Sequence, residues 1–272
     1  MKCPICGMGD PKHRGRIFYT CTNCQLDFVF PFHQAESYQV GTAKSSVTDA
    51  GYVQMMKQYA THREKLARPM AKRRLEEYIK ILGKKPVSIC EVGAGDGAFA
   101  TPYKELGIDY VGVDINPDLV SQAQSLGRNV LLGEPDILQS KYDVIVFSQV
   151  LEHILEPIDF MRKVRNLSRG IIHIDVPNRN GLVSKLRILK PTNTEWGFLQ
   201  FPHHQLAYSE KSLRYLLSLT SLDVIQMSAK GNFDKTWGQL SANVPMHKRI
   251  ALELSGFLGL GSLLVCIARK AN

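Results

Sequence analysis

No uncharged apolar run in this 272-residue chain reaches the roughly 18 residues that a helix needs to span a bilayer. The nearest approach, SGFLGLGSLLVCIA close to the C-terminus, falls short. The start, MKCPICG, lacks the apolar core of a secretory signal, so a cytoplasmic protein without membrane attachment is expected. Internal repeats and low-complexity tracts are absent. Cysteine is scarce beyond residue 24, where only Cys90 and Cys266 remain. Both lie inside apolar runs and read as inert core residues. Acidic residues are scarce in the first third: residues 1–85 hold 15 Lys and Arg against 7 Asp and Glu, whereas residues 86–272 hold 19 against 18. Nearly all of the net charge of +9 therefore sits at the N-terminal end.

What is present is an apolar fraction of 44%, enough for a packed globular protein. The length accommodates one α/β domain with a small appendage. A basic N-terminal third attracts nucleic acid, a phosphorylated metabolite or an anionic surface. Its densest point, Lys72 to Arg74, falls in a segment with helical periodicity, where a solvated helix face explains it equally well.

The most informative stretch is VSICEVGAGDGAF, Val87 to Phe99. A short apolar run ends in Glu91, and a turn with glycines at 93, 95 and 97 leads toward a helix. Glycine lets the backbone adopt turns closed to other residues and brings N–H groups against a ligand. The following helix N-terminus is expected to add positive potential. Gly93, Gly95 and Ala98 also satisfy the dinucleotide pattern G-x-G-x-x-A, so the turn alone leaves a nicotinamide cofactor open. A second run, DYVGVDI, ends in Asp114, at the distance where an acidic residue bonds ribose hydroxyls. A third, YDVIVFSQVLEHI, runs from Tyr142 to Ile154.

EVGAGDG, GVDIN and DVIVFSQVLEHI together resemble the class I S-adenosylmethionine-dependent methyltransferases, over roughly residues 85 to 272. The resemblance implies S-adenosylmethionine as cofactor, with Glu91, Gly93 and Gly95 at its methionine part and Asp114 at its ribose. It places Ile115 beside the adenosine, Asp136 or Ile137 near the adenine, and Gln149 and Val150 at the methionine end. Glu152 and Glu156 read as helix-start or surface carboxylates.

Cys3 and Cys6 form one C-x-x-C pair, Cys21 and Cys24 another, with 14 residues between the pairs. Four thiolates complete a closed tetrahedral site, so a structural zinc is expected, one that folds the module and performs no catalysis. The aromatic strand that follows, ending in proline, resembles the N-terminal ribbon of many bacterial methyltransferases, some of which act on sugars.

The alternation of runs predicts a doubly wound, mostly parallel, seven-stranded Rossmann-like α/β sheet with a small N-terminal zinc ribbon. Three regions are expected: the ribbon over 1–32, a linker and N-terminal helices over 33–84, and the cofactor-binding domain over 85–272. The polar segment after Pro31 reads as a linker or a loop that could order over the active site. Apolar residues at helical spacing from Tyr52 to Leu82 predict helix, broken or kinked at Pro69. Asn178 to Tyr208 reads as a turn-rich insertion.

Two places offer a histidine as base. His153 directly follows a strand edge where ligands collect in open α/β sheets. His203 and His204 lie in FPHHQLAYS, which resembles the acceptor-facing segment of related enzymes, where a Glu-His pair stands in some sugar C-methyltransferases. His204 aligns with that histidine, and His203 replaces the glutamate. The function expected is methylation of a small molecule, a sugar or nucleotide-linked metabolite, at oxygen or carbon. Two alternatives stand: an RNA methyltransferase gripping phosphates with the basic ribbon, and a binding protein that keeps the fold without the activity.

Overall fold

Seven of the apolar runs become strands of one sheet, and the polar, periodic stretches between them become its helices. The computed structural model describes residues 1–33, 50–230 and 258–271, with the backbone alone described at 50–53, 55–57, 59 and 61. The segment expected to order over the active site lies largely outside the described residues.

The chain begins with short strands β1 (Lys12–His13), β2 (Phe18–Thr20) and β3 (Asp27–Val29), followed by helix α1 (Ala50–Leu82). Then come β4 (Ser88–Val92), α2 (Ala100–Glu105), β5 (Asp109–Asp114), α3 (Pro117–Ser125), β6 (Val130–Leu132) and β7 (Tyr142–Ser148). Helix α4 (Pro157–Leu167) leads into β8 (Ser168–Pro177). The insertion holds α5 (Leu182–Ile188), β9 (Glu195–Trp196), β10 (Leu199–Gln200) and β11 (Leu206–Ala207). Helix α6 (Glu210–Leu219), β12 (Leu222–Lys230) and β13 (Leu263–Lys270) complete the order. The large sheet runs β12-β13-β8-β7-β4-β5-β6. Strand β4 pairs parallel with β5 and β7, β5 parallel with β6, and β12 antiparallel with β13. This is the mostly parallel, seven-stranded α/β sheet that the alternation of runs predicts. Among the described residues no helix is long and apolar enough to cross a membrane.

The chain divides into two compact units. One comprises Gln34–Phe147 and Lys163–His173. Its strands β4 and β7 read as continuous apolar runs because a parallel strand is covered on both faces. Ile89, Cys90, Val144, Ile145 and Phe147 have no exposed surface. Asn116 caps α3, its side chain accepting from the N–H groups of Asp118 and Leu119. Of the kink or break expected at Pro69, the break does not occur: helix α1 is continuous through it. The proline and Lys65, whose carbonyl loses its helical partner, are both exposed residues, the setting in which an interior proline is tolerated best. Gly83 follows in the left-handed conformation at φ +70°.

The other unit comprises Met1–His33, Ser148–Arg162 and Ile174–Asn272. Strand β11 joins the ribbon's sheet as its fourth strand, paired antiparallel with β3 through Leu206 and Phe28. Phe18 and Val29 of the ribbon share a core with Trp196, Phe198, Leu199 and Ala207 of the insertion. Asp27 on β3 accepts from Thr20 (2.6 Å) and from Arg179 (2.5 Å), which offsets the cost of its burial. The turn-rich insertion carries a helix and three short strands as well. Its strands are two residues long, too short to show an alternating pattern.

Candidate active site

Strand β4 delivers the glycine loop, and β5 holds it. The N–H groups of Gly93 and Ala94 both donate to the Val113 carbonyl, at 2.8 and 3.1 Å. Gly95 donates to Oδ2 of Asp114 at 2.7 Å. Gly93, Gly95 and Gly97 all have positive φ, the conformation that excludes most side chains. A Cβ on Gly97 would lie 2.7 Å from Cγ2 of Val130, and one on Gly112 of β5 would lie 2.6 Å from Cβ of Ala94. The loop therefore lies flat on the neighbouring strands. Residues 95–99 form turns, and the expected helix follows as α2, which begins at Ala100 and lasts six residues.

Asp114 ends β5 nearly buried. Burial raises its pKa, while the backbone N–H groups of Asn116 and Gly95 oppose the rise. Asn116 donates to Oδ1 at 2.9 Å and Gly95 to Oδ2, with the Ile115 N–H adding to their effect. A carboxylate oxygen accepts more than one hydrogen bond, so capacity remains for a ligand's hydroxyls. Glu91 accepts from the Tyr110 hydroxyl at 2.5 Å, and burial pushes its pKa up to about 7. Ile115 is half-buried, whereas Asp136 and Ile137 are exposed in a short 3₁₀ turn, with Asp136 3.4 Å from the Lys163 ammonium.

Asp96, the aspartate of the glycine loop, escapes a reading focused on glycines. It has no exposed surface and pairs with Arg63 and Arg128. Arg128 also donates to the Asp96 carbonyl at 2.8 Å and to Glu64 at 2.7 Å. Helix α1 supplies Arg63 and Glu64, so the loop is clamped to that helix by charge. The one signal available was an acidic residue inside a loop otherwise built of Gly and Ala.

In the other unit, Gln149 follows β7 at φ +58°, a conformation uncommon outside glycine that marks functional sites when the surroundings enforce it. Its N–H donates to the Asp175 carbonyl at 2.8 Å, and its buried Oε1 has no hydrogen-bond partner among the described residues. Val150 beside it is half-buried. His153 and His204 come together with ring centroids 4.7 Å apart at 80°. Nδ1 of His153 lies 3.0 Å from the His203 carbonyl and Nδ1 of His204 3.3 Å from the Phe198 carbonyl. A carbonyl only accepts, so each Nδ1 carries the proton and each Nε2 a lone pair. Burial lowers His153 to about 3 and His204 to about 4, with neighbouring histidine charge adding to both. Both rings are neutral at pH 7. His203 contributes its backbone carbonyl to this arrangement.

Glu152 lies at a helix start, in the first turn of the 3₁₀ helix Leu151–His153, but not on the surface. It has no exposed surface, and burial pushes its pKa up to about 8, Asp175 adding to the effect and its own backbone N–H opposing it. The short 3₁₀ turn Leu151–His153 directs it inward, while Glu156 remains exposed.

In the ribbon, one sulfur from each of Cys3, Cys6, Cys21 and Cys24 lies within 4.8 Å of the others. All four are free thiols. Sγ of Cys3 and Cys24 are 3.6 Å apart, and those of Cys6 and Cys21 3.4 Å. Sulfurs on a tetrahedral zinc at ~2.3 Å stand about 3.8 Å apart, so the set suits such an ion. The N–H of Cys24 points at Sγ of Cys21, 3.4 Å away.

A family profile described as a methyltransferase domain matches residues 59–227. An mRNA cap guanine-N(7) methyltransferase of Schizosaccharomyces pombe is 28% identical over 139 residues, 41% of this chain and 38% of that protein. A ubiquinone biosynthesis O-methyltransferase of Cereibacter sphaeroides is 26% identical over 103 residues, 34% of this chain and 42% of that protein. The chain thus spans about two fifths of the length of the curated relatives it matches. Among solved structures, the plantazolicin methyltransferase BpumL in complex with SAH superposes with a TM-score of 0.56 at 16% identity, over 84% of this chain and 92% of that one. Magnesium protoporphyrin IX methyltransferase from Synechocystis PCC 6803 with bound SAH gives 0.56 at 12% identity, over 83% and 96%. At these identities the structures share the fold.

Proposed function

The chain belongs to the methyltransferase-domain family, and from that premise we propose that it moves a methyl group from S-adenosylmethionine to a small-molecule acceptor, a sugar or nucleotide-linked metabolite, at oxygen or carbon. The observation that carries the cofactor assignment is the Asp114 carboxylate held against the Gly95 N–H with acceptor capacity to spare. Asp114 would take the ribose hydroxyls, and Gly93 and Gly95 would let the loop backbone lie close to the methionine part, with Glu91 behind it. The unpartnered Oε1 of Gln149 suits the methionine ammonium, with Val150 beside it. Ile115, Asp136 and Ile137 would flank the adenosine. A sulfonium supplies a methyl already bonded to a good leaving group, so alignment is the main requirement.

His153, His204 and the adjacent His203 are the acceptor-side residues in this reading. Their low pKa values make His153 and His204 weak stores for a whole proton at pH 7. A lone pair on Nε2 would instead accept a hydrogen bond from an acceptor hydroxyl and orient it. The ribbon is proposed to carry a structural zinc on Cys3, Cys6, Cys21 and Cys24. Strand β3 of that ribbon pairs with β11, two residues after His204, so the metal would stabilise the segment that places the histidine.

The second reading, an RNA acceptor, is favoured by the basic first third of the sequence. Radiolabelled methyl transfer from S-adenosylmethionine to a panel of sugar nucleotides and to total RNA separates the two. The proposal expects turnover on a metabolite with weak salt dependence. Methylation confined to RNA, with binding that falls steeply with salt, would replace it by the second reading.

A further inference from the structure

We propose that Glu152, His153 and His204 form a second metal site, one that takes a divalent first-row transition metal through two imidazole nitrogens and a carboxylate oxygen. One donor atom from each of the three lies within 4.8 Å of the others. Ligands ~2.1 Å from an ion stand about 3.4 Å apart in a tetrahedron, so binding draws them together by at most about 1.5 Å.

Glu152 is the independent sign that a cation is meant to sit here. It has no exposed surface, and neither carboxylate oxygen has a hydrogen-bond partner in another described residue. Burying such a group unpaired is unfavourable unless it is neutralised, paired or bound to a metal. No Lys or Arg forms an ion pair with it among the described residues. The described groups around it are His153, His204, Asp175 and Tyr208, none of which brings a positive charge.

Both histidines have the tautomer that ligation requires. Each Nδ1–H is fixed on a backbone carbonyl, His203 for one ring and Phe198 for the other, which leaves Nε2 to bind. This carbonyl-to-imidazole support is what orients metal-bound histidines in general. Glu152 and His153 are consecutive on one 3₁₀ turn, and His204 is brought to them by the insertion.

Three protein ligands leave at least one coordination position open, in contrast to the four thiols of the ribbon. Two nitrogens and one oxygen favour zinc, iron, cobalt or nickel over magnesium or calcium. With both Nε2 lone pairs committed to the metal, the open position replaces the imidazoles as the group that takes the oxygen of a small ligand. The inference stands on this geometry and does not depend on methyl transfer.

The test is metal content and spectroscopy of the whole protein expressed in cobalt-supplemented medium. The wild type is expected to hold two equivalents: one with thiolate-to-cobalt charge-transfer absorption from the ribbon, and one without. Glu152→Gln and His204→Ala should each reduce the content to one equivalent and leave the charge-transfer band intact, which also shows that the ribbon remains folded. Variants that retain two equivalents would overturn the assignment. X-ray absorption at the metal edge of the wild type needs no variant. Nitrogen and oxygen in the first shell, with outer-shell scattering from imidazole, support the site. A shell of four sulfurs and one equivalent of metal would refute it.

Discussion

Replacing Gly97 with alanine tests whether the glycine loop is shaped by contact with the sheet beneath it. Two costs add. The backbone is held at φ +68°, where a side chain costs about 1–2 kcal/mol. The new Cβ would lie 2.7 Å from Cγ2 of Val130, and forcing an extra methyl into a packed core costs about 1–3 kcal/mol. Gly97→Ala should therefore destabilise the protein by about 2–5 kcal/mol. The clash is with a side chain that can be shortened, and the dihedral strain is not. Val130→Ala also destabilises, since Val130 is buried, but the double variant should lose about 1–3 kcal/mol less stability than the two single losses summed, the share owed to the clash. Urea unfolding followed by circular dichroism measures all four corners of the cycle. Unchanged stability of Gly97→Ala, or strict additivity in the double variant, would refute this account of the loop.

Other consequences follow from charges and metals. Glu91 has a folded-state pKa of about 7 against 4.5 when unfolded, so its contribution to stability is fully present below pH 4.5 and is lost as pH rises toward 7. At about 1.4 kcal/mol per pK unit the loss is about 3 kcal/mol at most, and Glu91→Gln should remove that pH dependence from urea midpoints taken between pH 5 and 8. Asp96→Ala removes the carboxylate that pairs with both Arg63 and Arg128 and leaves the almost wholly buried Arg128 with Glu64, and should cost about 1.5–3 kcal/mol in the same assay. Cys21→Ser should abolish ribbon zinc measured by mass spectrometry. In a Trp237→Phe background it should also shift the fluorescence of Trp196 to the red, because that ring shares a core with Phe18 of the ribbon. An unshifted Trp196 with zinc absent would show that the ribbon folds without its metal.

The large sheet is legible in the sequence because parallel strands, covered on both faces, leave continuous apolar runs such as VIVF in β7. The thiol cluster is legible because two C-x-x-C pairs bring four sulfurs together from local spacing alone. What escapes is what depends on distant partners. Pro69 looks like a helix breaker until its exposed position on α1 is known. Glu152 looks like a surface carboxylate because nothing local shows that His204, some fifty positions away, will close over it. Asp96 is hidden for the same reason, its partners Arg63 and Arg128 lying on α1 and beyond α3. The insertion defeats periodicity because two-residue strands have no period.

The central claim is that the loop following β4 and the Asp114 carboxylate form a site for S-adenosylmethionine. Calorimetric titration of the zinc-loaded protein with S-adenosylmethionine, and separately with NADH, tests it most directly when wild type is compared with Asp114→Ala. The account predicts binding of S-adenosylmethionine, weakened by about tenfold or more in the variant as a charge-assisted hydrogen bond is lost, and no binding of NADH. Binding of NADH, or a well-folded wild type that ignores S-adenosylmethionine, would contradict it.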